Sequence, residues 1–292
     1  MGVLCFPNLD RPRQESVKAC RLAAGSRDSP LREDYFFFGA LHLSRTRVTW
    51  RTVGQALTRP YPVTIPMVLL VSLVPLYLVI AGRARAGAVH APALALDRLL
   101  PLAPTWALVY GALYAFLIVL PVFVVQRTEL IRRTVWAYLT VWTVAYICFL
   151  VYPTVAPRPD TVMGKGFAAW GLRFLYEADP PYNCFPSLHV AHSFVSALAS
   201  YRVHRMLGFV AISCASLVAI STLFTKQHYV ADIVAGTLLA VAAYVVFLRG
   251  DSRANVPELD RRVAPLLALV VAGIVGLGFV CYWVAYKLGV QA

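Results

Sequence analysis

Tyr229-Val230-Ala231-Asp232-Ile233-Val234-Ala235-Gly236-Thr237-Leu238-Leu239-Ala240-Val241-Ala242-Ala243-Tyr244-Val245-Val246-Phe247-Leu248 is a run of twenty residues with one charge, Asp232, near its start. About 20 apolar residues at ~1.5 Å each cross the ~30 Å hydrocarbon core of a bilayer. Similar runs lie at 62–82, 104–126, 134–154, 206–224 and 263–285. The 292-residue chain is 59% hydrophobic and only 14% charged, where a soluble domain carries about 25% charged residues. This composition predicts an all-α, polytopic membrane helix bundle.

Charge fixes the topology. Nineteen of the Lys and Arg residues fall in 1–60, 127–133, 202–205 and 249–262, and eight in the alternate segments. That alternation requires a seventh span at 188–201, although Leu188 to Tyr201 is short for one. The positive-inside rule then places the N-terminus in the cytoplasm of a multi-pass cell-membrane protein. The connections at 83–103, 155–187 and 225–228 fall on the outer face, periplasmic or luminal. The net charge of +13 therefore reads as a topology signal and not as a nucleic-acid surface. The expected organisation is a basic cytoplasmic segment at 1–60, a six-span catalytic core at 61–250, and a loop with one extra C-terminal span at 251–292. Within the first segment, 1–34 reads as loosely ordered and 35–59 as a mixed aromatic and basic stretch suited to an anionic membrane surface.

Two polar motifs stand at the heads of spans. Cys184-Phe185-Pro186-Ser187-Leu188-His189 opens the short fourth span, and Thr225-Lys226-Gln227-His228 precedes the run quoted above. Both spans run outside to inside, so both histidines sit at helix N-termini on one face. Helix N-termini present free N–H groups and positive dipole ends, which suit an anion such as phosphate. The shortness of the fourth span predicts that His189 lies in a recess below the outer surface.

His228 and Asp232 are four apart and share a helical face. A carboxylate on one ring nitrogen fixes the tautomer and frees the other nitrogen to attack phosphorus. His189 would protonate the leaving oxygen and then act as base on the acceptor. Lys226, Arg158 (at the outer end of the third span) and Ser187 are the expected phosphate-binding residues. The scheme needs no metal or cofactor. His189 and His192 could form a metal pair, but a third ligand is missing from the nearby sequence, and packing is the expected role of His192. The six cysteines, Cys5, Cys20, Cys148, Cys184, Cys214 and Cys281, have neither zinc spacing nor a disulfide framework. His42, His90 and His204 read as surface residues. Phe167, Trp170, Phe174 and Leu175 share a helical face in the outer loop, as in an interfacial helix or a lid. A transporter with a His/Asp proton relay would carry its charges near span centres; these stand at span ends.

Pro186-Ser187-Leu188-His189 followed by His228-Tyr229-Val230-Ala231-Asp232 resembles the type-2 phosphatidic acid phosphatase superfamily over roughly residues 95–245. Within it the chain looks like the inositol phosphorylceramide synthase and sphingomyelin synthase branch. The resemblance implies a phosphohistidine mechanism with His228 as nucleophile, Asp232 as its partner and His189 as general acid. It also implies membrane lipids as donor and acceptor, with lipid phosphatase activity as the alternative outcome. Two positions depart from the phosphatase pattern. Val151 stands where a Lys precedes the Arg-Pro pair, and Ser221-Thr222 stands in place of Ser-Arg. Lys226, two before the histidine, and Leu188, in place of Gly, fit the synthase branch.

Overall fold

The computed structural model describes residues 50–57 and 65–290, all within one compact unit. The expectations for 1–34 and for most of 35–59 lie outside the described residues. Among the described residues ten α-helices follow in order. α1 is Trp50–Leu57, α2 Ile65–Arg85, α3 Ala95–Leu99, α4 Trp106–Val124, α5 Thr128–Val151 and α6 Phe167–Ala178. α7 is Leu188–Val203, α8 Arg205–Phe224, α9 Val230–Ala243 and α10 Glu258–Lys287. α9 continues as a π-helical turn, Tyr244–Leu248. No strand occurs among the described residues; two isolated bridges pair His90 with Thr154 and Val155 with Tyr182.

Among the described residues, five helices are long and apolar enough to cross a membrane: α4, α5, α8, α9 with its π-turn, and α10. The protein is a multi-pass, all-α membrane bundle. α2 has 21 residues and packs along α5. Pro75, Pro121 and Pro265 lie inside helices, which neighbouring helices make tolerable at membrane depth.

α7 is the hub of the bundle, touching α4, α5, α8 and α9. Its 16 residues reach only ~24 Å, and its composition explains why no long apolar run announced it. Ala191, Ser193, Ser196, Ala197, Ala199 and Ser200 are all buried. Small residues let helix backbones approach closely where lipid supplies no hydrophobic drive between helices. Two of their hydroxyls are satisfied locally: Ser196 donates to the His192 carbonyl at 3.0 Å and Ser200 to that of Ser196 at 2.9 Å, while the Ser193 hydroxyl has no partner among the described residues. Tyr138, Val141, Ala145 and Phe149 of α5, with Leu188, Ala191 and Val195 of α7 and Ala240 of α9, form the apolar core below the histidines.

The loops gather at two ends. At one end, Arg127 pairs with Asp251 and the Arg253 guanidinium lies 5.1 Å over the Tyr201 ring. At the other, Lys226 meets the end of α3 and Arg158 meets Gln227. His204 is no free surface histidine. Its Nδ1 accepts from the Leu207 N–H at 3.2 Å and caps α8. Gly208 makes that corner possible, because a Cβ there would lie 2.3 Å from the Tyr201 Cα.

Candidate active site

Three segments build the site: the entry to α7, the entry to α9, and the chain leaving α5. The peptide bond between Phe185 and Pro186 is cis. The buried Thr154 hydroxyl accepts from the N–H groups of Cys184 and Phe185 at 2.9 and 3.0 Å, fixing this segment ahead of α7. Ser187, fully buried, caps α7 by accepting from the Val190 N–H at 3.3 Å. The Ser187 N–H in turn donates to the Asp232 carbonyl at 3.0 Å. The two motifs are therefore joined by backbone. Gly236 permits the join, since a Cβ there would lie 2.5 Å from the Ser187 carbonyl oxygen.

The result is a line of three groups. His189 Nδ1 stands 3.1 Å from His228 Nε2, and His228 Nδ1 stands 3.3 Å from Asp232 Oδ2. The same Asp232 oxygen accepts from the Tyr229 N–H at 2.8 Å. With Nδ1–H aimed at the carboxylate, His228 Nε2 carries the lone pair and accepts from His189. Asp232 is fully buried and His228 nearly so, while the His189 side chain keeps 16% exposure. His189 thus forms the accessible edge of the pair.

Arg158 reaches the site from beyond α5. Its guanidinium donates to the Asp179 carbonyl at 2.7 Å and the Tyr176 carbonyl at 3.3 Å, and to Gln227 Oε1 at 3.0 Å. It lies 3.4 Å from Asp179 Oδ2 and 4.6 Å over the Tyr176 ring. Burial pushes the Tyr176 phenol up to about 12, with Arg158 pulling the other way. Two buried donors here, Arg158 Nε and Gln227 Nε2, have no partner among the described residues. Unpartnered buried donors beside a histidine pair suit an anion.

The Lys226 backbone is left-handed, at φ 54°, and its ammonium donates to the carbonyls of Leu100 and Asp97 at 2.7 and 3.2 Å. Asp97 completes the clasp: its two carboxylate oxygens accept from the N–H groups of Val230 and Leu94 at 2.9 and 2.7 Å. Lys226 therefore clamps the 225–229 turn to α3. The Ser187 oxygen accepts the capping bond, which leaves its O–H free to donate.

Sequence reasoning missed Asp97, Asp179, Gln227 and a tyrosine pair. Asp179 accepts from the Tyr77 hydroxyl at 2.8 Å and stands 4.0 Å from His189 Nε2. Tyr110 and Tyr114 stack on each other at 5.4 Å, and each turns its face or edge to the His189 ring at 5.6 and 5.0 Å. Of these residues Gln227 alone sits in a motif, beside His228, and an outer-loop acid such as Asp179 could have been weighed as Arg158's partner. His192 stacks on Tyr138 and accepts from Trp142 Nε1 at 3.3 Å, a packing position. Cys184, His228 and Asp232 bring donor atoms within 4.8 Å of one another, the one such metal-sized group among the described residues. Burial, reinforced by Asp232, holds the Cys184 thiol well above its ordinary range, so it is poorly suited to serve as a thiolate ligand.

An all-helical membrane bundle with two histidines and a carboxylate in line is the class that fold and site define. A family model described as PAP2 superfamily matches residues 83–246, more than half of the chain. The chain belongs to that superfamily. It is also similar to a PA-phosphatase related-family protein of Dictyostelium discoideum, 29% identical over 116 residues, 36% of this chain and 21% of the relative. An uncharacterised protein of Methanocaldococcus jannaschii is 27% identical over 95 residues, 32% of this chain and 39% of the relative. The matches thus span about a fifth and two fifths of these relatives' lengths. No solved structure matches the chain.

Proposed function

We propose that the protein is an integral-membrane lipid phosphotransferase of the inositol phosphorylceramide synthase kind, working through a phosphohistidine at His228. The observation that carries the reading is the line His189 Nδ1, His228 Nε2, His228 Nδ1, Asp232 Oδ2. His228 Nε2 attacks phosphorus and the P–O bond to the leaving lipid alcohol breaks. His189 gives that oxygen its proton. Asp232 holds the Nδ1 proton and balances the positive charge that grows on the ring. The acceptor hydroxyl then loses its proton to His189, attacks phosphorus and releases His228.

Membership of the PAP2 superfamily supports lipid phosphoesters as substrates. The charge inventory favours a phosphodiester donor over a monoester. Lys226 is committed to α3, and Arg158, the cation beside the histidines, already faces Asp179. A diester brings one negative charge to be balanced, a monoester up to two. Water in place of the alcohol would make the same machinery a lipid phosphatase. The loop basicity supports a cytoplasmic N-terminus with the site on the outer face.

The test is purified protein in lipid with headgroup-labelled phosphodiester lipid and labelled phosphatidic acid, offered water and long-chain alcohol acceptors. Label on the acceptor, lost in His228→Ala, is expected. His228-dependent release of free phosphate alone would replace the transferase by the phosphatase. Turnover indifferent to His228 would overturn both.

A further inference from the structure

α10 lies beyond the residues matched by the superfamily, 83–246, yet it packs along α4 and touches α6. It encloses space on the way. A cavity of about 450 Å³ opens between α4, α6 and α10, walled by Tyr110, Gly111, Trp170, Phe174, Gly278 and Phe279 among others, and no charged residue lines it among the described residues. That volume is in the range of ligand pockets. Its lining on α4 runs from Ala107 to Val119, ~18 Å of helix, the length scale of a hydrocarbon chain. The segment that follows α10 is fastened to α6, with Trp170 Nε1 donating to the Val290 carbonyl at 2.8 Å.

The cavity also touches the chemistry. Tyr110 lines it and lies 5.6 Å, ring to ring, from His189. A lipid whose phosphate lies at the histidines has its glycerol or sphingoid end within reach of this wall. Two of the six named positions are glycines. At Gly111 a Cβ would already meet Phe279 at 3.4 Å, whereas at Gly278 it would meet nothing within 4 Å. Gly278 is thus a place where the cavity's width is set by a missing side chain.

We infer that the α4–α6–α10 cavity receives one hydrocarbon chain of the lipid substrate and that α10 is the element that selects its length. The inference rests on the lipid-substrate reading above. Because a bilayer is as apolar as the cavity, a chain gains little transfer energy by entering it. The cavity therefore acts by shape, admitting chains that fit and delaying those that do not, and discrimination shows in kcat/KM ratios between donors.

The experiment uses the full chain with donors of one headgroup and long or short acyl chains, comparing wild type, Gly278→Leu and Gly276→Leu. Gly276 is on the same helix, also has open space around its Cβ position, and does not line the cavity. Gly278→Leu is expected to lower the long-chain to short-chain ratio of kcat/KM by roughly tenfold or more, the scale on which hydrophobic pockets discriminate. Gly276→Leu should leave the ratio unchanged. In parallel, a phospholipid with a photoreactive group at its chain end should label peptides of α6 or α10, and Gly278→Leu should abolish that label. An unchanged ratio, or label falling instead on the second apolar cavity lined by Trp142 and His192, would overturn the inference. Labelling needs no turnover. Label in the α4–α6–α10 cavity of a protein with no His228-dependent turnover would sink the functional reading and leave the chain site standing.

Discussion

Gly236→Ala should strike activity far harder than folding. The new Cβ would lie 2.5 Å from the Ser187 carbonyl oxygen and 3.4 Å from the Ser187 Cβ. Ordinary contact begins near 3.4 Å, so α9 and the Ser187 segment must part by about 0.9 Å. Overpacking of this kind costs about 1–3 kcal/mol. Replacing Gly by Ala inside a helix returns about 1 kcal/mol, leaving a net loss of roughly 0–2 kcal/mol. The catalytic cost is separate. His228 and Asp232 ride on the entry of α9 and His189 on that of α7, so the same displacement falls on the 3.1 Å contact between the rings. A misplacement of ~1 Å costs on the order of a hundredfold in rate. The assay is kcat on the lipid donor beside a thermal unfolding curve in detergent, with Gly276→Ala as an unconstrained control. Wild-type kcat in Gly236→Ala would refute the claim that this close approach sets the alignment of the histidines.

Lys226→Met should lower thermal stability without raising KM, because its ammonium bonds α3 carbonyls, whereas Arg158→Lys should raise KM for the lipid donor. Asp97→Ala strips acceptors from the Val230 and Leu94 N–H groups and should cost about 1–3 kcal/mol per stranded donor, read as a lowered unfolding midpoint. Burial, with Arg253 nearby, lowers the affinity of His204 for a proton. Its cap therefore contributes stability above the unfolded value of about 6.5, lost as pH falls through and below that value. His204→Ser, which keeps a capping oxygen, should flatten the pH dependence of the unfolding midpoint between neutral and mildly acid pH. Cys184→Ser should stay active, and the wild-type thiol should resist alkylation at neutral pH, since burial keeps it protonated.

The bundle and the histidine line were legible for different reasons. Long apolar runs announced α4, α5, α8, α9 and α10 directly. α7 carries small and hydroxylated residues in place of bulky ones, so only the alternation of basic loops exposed it. His189, His228 and Asp232 could be paired because Asp232 is costly at the head of a span and needs a partner. The contact of Lys226 with α3 was not legible, because sequence shows a cation two residues from His228 but not the left-handed backbone that turns it toward α3. Asp97 clasps the same turn from 133 positions away in sequence, and no local pattern carries that distance. The tyrosines on α4 were indistinguishable from any aromatic pair in an apolar span. Their meaning lies in which helix faces them.

The most direct test of the central claim is to trap the covalent intermediate. An activated aryl phosphoester labelled at phosphorus, whose leaving group needs no proton, is mixed with wild type, His189→Ala and His228→Ala and quenched rapidly. The account predicts acid-labile, alkali-stable label on the peptide containing His228 in wild type. The label should accumulate in His189→Ala, which lacks the base for the second step, and be absent from His228→Ala. Undiminished turnover in His228→Ala, or label on another residue, would contradict it.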